Sequence, residues 1–405
     1  MNRKSLLQRK DAGFAISVVL IAFVILIAIG VGLLNLGLQG RLQAVRAASE
    51  ISAKCAADSG LTKALFEMNK KLAVKPWSEG ALPSTTNERL PNSDATFSYA
   101  VTGNINSGYV IESIGKYGRV EKTVRSVLHL AGLFEEGAVF TIGSIQLKSG
   151  TVVDSYNNDA GDGNILIGTD STAPGALVIK NGVIINGDIA VGAGGDPDVV
   201  VNEGSGAEVT GEIYPITESY NFPSITVPDY LTKLPKSTIK STTKKISSDA
   251  RFDSFDLSNG QIIQVDQPVT IYVSGNVNLD NAAQLDVVDA KTNPNASLTM
   301  YVGGDITSKN GSFLNNFSKD SKKFQIFGLN SCKSIDLMNG GQFYGAIYAP
   351  NADIKFRNSV DVYGSVMGKS FIQMASGALH YNASLSDAGV NDIGAHFEVT
   401  RWYEE

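Results

Sequence analysis

The residues best equipped for chemistry lie in two clusters of oxygen and nitrogen donors beyond residue 150. The segment DSYNNDAGDGN gathers Asp154, Asn157, Asn158, Asp159, Asp162 and Asn164 around two glycines. Hard oxygen donors in such density suit Ca²⁺. EF-hand spacing is absent, however, and Asx turns fill a loop of this composition without metal. A second cluster is cationic. Lys233, Lys236, Lys240, Lys244 and Lys245 fall in a stretch with no carboxylate from Tyr230 to Ser248. They would meet an anionic surface such as a polysaccharide or DNA, and a solvated basic loop is the plainer reading.

The catalytic signals are sparse. The histidines are His129, His380 and His396, none at i, i+4 spacing and none beside a cysteine, so no zinc site is expected. His380, in HYNASL, is expected to be a buried structural histidine on a last rung. Asp336, Asp353 and Asp361 would form acid pairs if aligned on stacked strands, as in enzymes that cleave polysaccharides. Isolated aspartates at strand corners are ordinarily turn residues. No Gly-x-Ser-x-Gly elbow and no phosphate-binding glycine loop occurs. Neither an enzyme nor a cofactor is expected. Cys55 and Cys332 make no disulfide framework and are expected as small buried hydrophobes rather than a bridge.

The elements that would position these residues begin with an uncharged run from Phe14 to Leu38, preceded by Arg3, Lys4, Arg9 and Lys10. At about 1.5 Å per residue, such a helix covers a bilayer core of about 30 Å. The basic leader keeps residues 1–13 in the cytoplasm and sends the remainder outward. The helical pattern continues to about Leu72, because Leu42, Val45, Ile51, Ala57, Leu61, Leu65, Met68 and Leu72 recur mostly at spacings of three and four. The formal net charge is −6, and removal of the leader's net +3 leaves −9, so nucleic acid is not an expected partner.

Pro76 closes the helix, and residues 76–94 are loop by composition. Three alternating segments between Ala95 and Gly132 predict a small antiparallel sheet of about three strands. From residue 134 short strands recur between Gly, Asn and Asp turns. Aromatic-Gly pairs at Phe327-Gly328, Tyr344-Gly345 and Tyr363-Gly364 follow one another at 17 and 19 residues. Repeats of this length predict a right-handed parallel β-helix over 134–388, with a β-sandwich as the alternative. Residues 214–250, with four prolines and the lysines, are read as an excursion loop leaving the solenoid and returning. Residues 389–405 are read as a tail. The fold class is therefore mainly β: a long helix over 14–75, a small head over 76–133, and a β-helix.

Two resemblances add to this. The order basic leader, Gly13, Phe14, hydrophobic helix resembles the signal of type IV pilins and pseudopilins. AKCAADSGLTKAL (Ala53–Leu65) resembles the helix pattern of PilX-type minor pilins. The resemblance implies cleavage by a prepilin peptidase after Gly13 and N-methylation of Phe14. It also implies passage from the inner membrane to a periplasmic or extracellular pilus, with other pilins as partners through the helix. Shaft subunits of that family carry glutamate at the fifth position after cleavage. Val18 stands there, which implies a place at the filament tip or in its priming complex, with the β-helix displayed for assembly or for contact with a surface glycan. The alternative is a permanently anchored envelope protein whose β-helix binds glycan or matrix. Separately, YGAIYAPNA (Tyr344–Ala352), VYGSVMGKSF and LHYNASL resemble an uncharacterised domain often attached to PilX-type N-termini. DSYNNDAG resembles its opening and RWYEE its ending, while Asn382 stands where that domain commonly has aspartate.

Overall fold

The computed structural model describes residues 12–135, 137–156, 165–309, 311–338, 341–374 and 376–404. They divide into two compact units. One comprises the chain up to His129 together with Phe397–Glu405, and the other comprises Leu130–His396.

The first unit is a helix on a sheet. Helix α1 (Ala12–Leu72) is unbroken. It packs on the strands β2 (Thr96–Asn104) and β3 (Gly108–Tyr117), which lie between β1 (Ser84–Arg89) and β4 (Val120–Ala131) in an antiparallel order. β1 falls within the stretch that composition marks as loop. Its residues STTNER are polar on both faces, so backbone pairing along the sheet edge holds it, without an alternating apolar pattern. The fifth strand, beside β4, is His396–Glu404 from the end of the chain, where the sequence suggested only a tail. Asn69 of α1 fixes it from both sides: its Nδ2 donates to the Phe397 carbonyl (3.0 Å), and its Oδ1 accepts from the Phe397 N–H (2.6 Å). Trp77, Tyr109 and Phe397 then meet edge to face at 5.3–6.1 Å between centroids.

The second unit is a solenoid. Every strand pair described in it is parallel, which excludes the sandwich. Three ladders run along it, one per face. On the first, outward residues stack in register as Arg251, Tyr272, Tyr301, Phe327, Tyr348, Met367, Phe140, Gly168, Ala190 and Tyr214. This order departs from chain order. The strand Asp361–Gln373 pairs with Val139–Thr141 and Ile145–Leu147, so the last coil of the chain stacks against the first. Both ends of the solenoid therefore come from the middle of the sequence.

The segment 216–235 connects those two ends. The sequence suggested a loop departing from the solenoid, but the chain lies along the first face as a strap. The Tyr220 N–H donates to Asp170 Oδ1 (3.2 Å), and the Tyr220 ring sits 5.1 Å from Phe140. Further along, the Tyr348 hydroxyl donates to the Pro223 carbonyl (2.8 Å), Leu231 is fully buried, and Arg251 donates to the Thr232 carbonyl. An outward aromatic column needs cover, and the strap supplies it. Gly168 fits under this arrangement because a Cβ there would lie 2.3 Å from the Phe140 ring.

Inside, Phe324, Phe343, Phe356 and Phe371 follow one another at 5.7–6.0 Å, all fully buried, each contributing about 1.5–3 kcal/mol. At the corners, Asx side chains bond the next coil. Asn276 Oδ1 accepts from the Asp305 N–H (2.9 Å), Asp305 Oδ1 from Lys333 and Ser334, and Asp188 Oδ1 from Glu212 (2.8 Å). The abundance of Asn and Asp in this half of the chain serves that role.

Candidate functional site

Helix α1 has two halves of different character. From Ile16 to Leu38 its large apolar side chains are exposed on every side of the helix, and this is the one helix among the described residues long and apolar enough to cross a membrane. Val18 lies here, about half exposed. Gly13 and Phe14 lie in the first turns of α1, and residues 1–11 of the leader fall outside the described residues.

From Ala53 onward the same helix has one buried face, made of Ala53, Ala56, Ala57, Gly60, Leu61, Ala64, Met68 and Leu72. The opposing residues of β3 shrink along the strand from Tyr109 through Ile111 and Ser113 to Gly115, all buried. Helix and strand backbones meet where both are small. A Cβ on Gly115 would lie 2.0 Å from the Ala53 carbonyl oxygen and 2.3 Å from the Ala57 nitrogen, and one on Gly60 would lie 2.3 Å from Ser113 Oγ. The small residues of AKCAADSGLTKAL thus set the distance of the helix from its sheet. Within that motif Asp58 has one carboxylate oxygen buried without a hydrogen-bond partner, and burial raises its pKa above the ordinary aspartate value. Lys54, one turn earlier, pairs with Glu404 of the last strand at 2.7 Å. Cys55 is exposed on this helix, contrary to the sequence reading, because it lies opposite the sheet. Cys332 is buried as expected, with its thiol pKa pushed up to about 12 by burial.

In the solenoid, two residues singled out separately by sequence come together. Asp154 and His380 are register partners across the junction of the last and first coils, and the His380 Nδ1 is hydrogen-bonded to Asp154. His380 is thus in mid-stack and does not cap a last rung, because the first coil of the chain continues the ladder beyond it. Asn157, Asp159 and Asp162 lie outside the described residues. Tyr344, Tyr363 and His380 stack ring on ring at 4.3 Å, with Tyr156 edge-on to Tyr363 at 5.0 Å. Burial and the neighbouring tyrosines push the Tyr344 phenol up to about 12. Tyr363 has both ring faces covered, by Tyr344 and by His380, so this column holds the junction together.

The carboxylates considered for acid–base work are engaged. Asp336 takes a bidentate bond from Arg357 (2.6 and 2.7 Å), Asp353 accepts from Ser370 (2.7 Å), and Asp361 accepts from the Ala378 N–H (2.9 Å). The five lysines all lie exposed at one end of the solenoid. Lys236 pairs with Asp253 and Lys245 with Asp266, each at 2.8 Å, while Lys233, Lys240 and Lys244 make no ion pair among the described residues.

Residues 243–388 match a family described as a domain of unknown function (DUF7305). The match contains the YGAIYAPNA and HYNASL segments. Asp154–Gly161 and the terminal RWYEE, expected as the opening and ending of such a domain, fall outside it. No curated protein matches the chain. Among solved structures, the chain is similar to the competence-associated pilin ComZ from Thermus thermophilus, at 12% identity, 88% of this chain and 97% of that one, with a TM-score of 0.21. It is also similar to an ice binding protein from an Antarctic bacterium, Flavobacteriaceae, at 10% identity, 61% of this chain and 97% of that one, with a TM-score of 0.23. Likenesses this distant carry no argument about what the chain does.

Proposed function

We propose that the chain is a pilin-like structural subunit, anchored by α1 and displaying a β-solenoid. The observation that supports this most is α1 itself: one unbroken helix, apolar all round over Ile16–Leu38 and small-faced against an antiparallel sheet from Ala53. A helix of that kind can pass from lipid into a bundle of like helices without changing conformation. Before assembly it holds the chain in the inner membrane with residues 1–13 cytoplasmic. A prepilin peptidase then cuts between Gly13 and Phe14 and methylates Phe14, and the partners of the mature helix are other pilins. The subunit belongs at the filament tip or in its priming complex. Val18 brings no carboxylate to neutralise a neighbour's N-terminal amine, and a solenoid of residues 130–396 suits a position with free space around it. The displayed solenoid serves assembly or contact with a surface glycan, and its role is structural rather than catalytic.

The test is the N-terminus of the protein isolated from membranes of a host with prepilin peptidase. N-methylated Phe14 by mass spectrometry is the expected result. An intact Met1 would sink the reading and leave a permanently anchored envelope protein.

A further inference from the structure

The two ends of the solenoid carry opposite charge. One end is formed by Val201–Glu203, Glu208–Val209 and Ile213–Pro215, each paired, among the described residues, to a neighbouring coil on one side only. Between Lys180 and Lys233 the chain has no lysine or arginine. Over the same stretch Asp196, Asp198, Glu203, Glu208, Glu212 and Glu218 are exposed on the terminal coil and the start of the strap. The other end is formed by Lys236–Ser237, Lys245–Ile246 and Phe255–Leu257, again paired on one side only. It carries the five exposed lysines, three of them without an ion-pair partner among the described residues. Both ends also leave interior side chains incompletely covered: Val209, Ile213 and Ile216 at the acidic end, Leu234 and Ile239 at the basic end.

We propose that the solenoid binds a second copy of this chain head to tail, the acidic end of one against the basic end of the next. One-sided strands over a partly open apolar interior are edges that seek a partner. A free polyanion would satisfy the basic end alone and be repelled by the acidic one. A second copy satisfies both, and it brings the same three-faced cross-section and the same strand spacing of about 4.8 Å. The contact is heterologous, so each pair leaves one acidic and one basic end free, and association is open-ended. This inference stands independently of the anchoring reading.

The test is sedimentation velocity of the full chain in detergent micelles at low and high salt. Two variants are compared with the parent: Glu208→Lys with Glu212→Lys, and Lys240→Glu with Lys244→Glu, all at exposed positions. The parent should form dimers and larger species that dissociate as salt rises and the screening length falls from about 10 Å to about 3 Å. Each variant alone should associate at least about tenfold more weakly. An equimolar mixture of the two should regain association, because each reversed end then meets an end of opposite charge. Association that ignores salt and is equal in all samples would assign it to the apolar helix and overturn the proposal. Failure of the mixture to recover would overturn it equally, as would salt-sensitive association surviving undiminished in both single variants.

Discussion

Gly115→Ala tests whether small residues set the distance between helix and sheet. The added Cβ would sit 2.0 Å from the Ala53 oxygen, about 1.4 Å short of ordinary van der Waals contact. The obstacle is helix backbone, which Ala56, Leu61, Ala64 and Met68 hold against the sheet on either side. Overpacking of this kind costs about 1–3 kcal/mol, and a rigid obstacle puts Gly115→Ala near about 3 kcal/mol. Gly60→Ala is the control from the opposite surface. Its Cβ meets Ser113 Oγ at 2.3 Å and the Phe97 ring at 2.9 Å, side chains that can yield. Replacing a helical glycine by alanine also recovers about 1 kcal/mol, so its net effect should fall within about 1 kcal/mol. Trp77 and Trp402 are the only tryptophans, and both belong to the unit containing α1 and its sheet. Thermal unfolding followed by tryptophan fluorescence therefore reports this unit, and the Gly115→Ala midpoint should fall by roughly 10 °C. An unchanged midpoint, or greater damage from Gly60→Ala, would refute the reasoning.

Tyr348→Phe should destabilise the solenoid by about 1–2 kcal/mol, because the Pro223 carbonyl loses its donor, and limited proteolysis should quicken within residues 216–228. Asp286 is 5% exposed, and burial raises its pKa despite a 2.7 Å bond from Asn315. A carboxyl raised in the folded state stabilises below its unfolded value, and that stability is lost as pH rises through the folded one. Asp286→Asn should therefore gain stability at about pH 8 relative to about pH 4, read from urea midpoints; an equal effect at both would contradict the assigned cause. Iodoacetamide should label exposed Cys55 in the native protein and spare Cys332 until denaturation, as peptide mass mapping will show.

Much of this architecture is visible in local pattern. The uncharged run from Phe14, the three- and four-residue spacing to Leu72, and the strand-turn repeats each depend on neighbours in sequence. What was hidden depends on distant partners. Val139 meets Val366 only in the fold, and nothing in either strand announces that the last coil stacks on the first. The aromatic-Gly pairs point to the repeat, and their register was hidden for the same reason. Tyr344 and Tyr363 are true register partners, but Phe327 pairs with Tyr348 and belongs to a different face. The proline-rich strap looks like a departing loop because its partners, Phe140 and Tyr348, lie far from it along the chain. Of the site residues, Asp154 and His380 were each legible as unusual, and their pairing was not.

The junction of first and last coils has a mechanical meaning. The chain joins the solenoid near Val139 and leaves it after Asn382, on strands that are neighbours in the same ladders. Neither end coil of the solenoid carries a chain end, so neither can fray by the peeling of a terminus. Peeling from the entry or the exit strand must first break three adjacent ladders and the Tyr363–His380–Asp154 column.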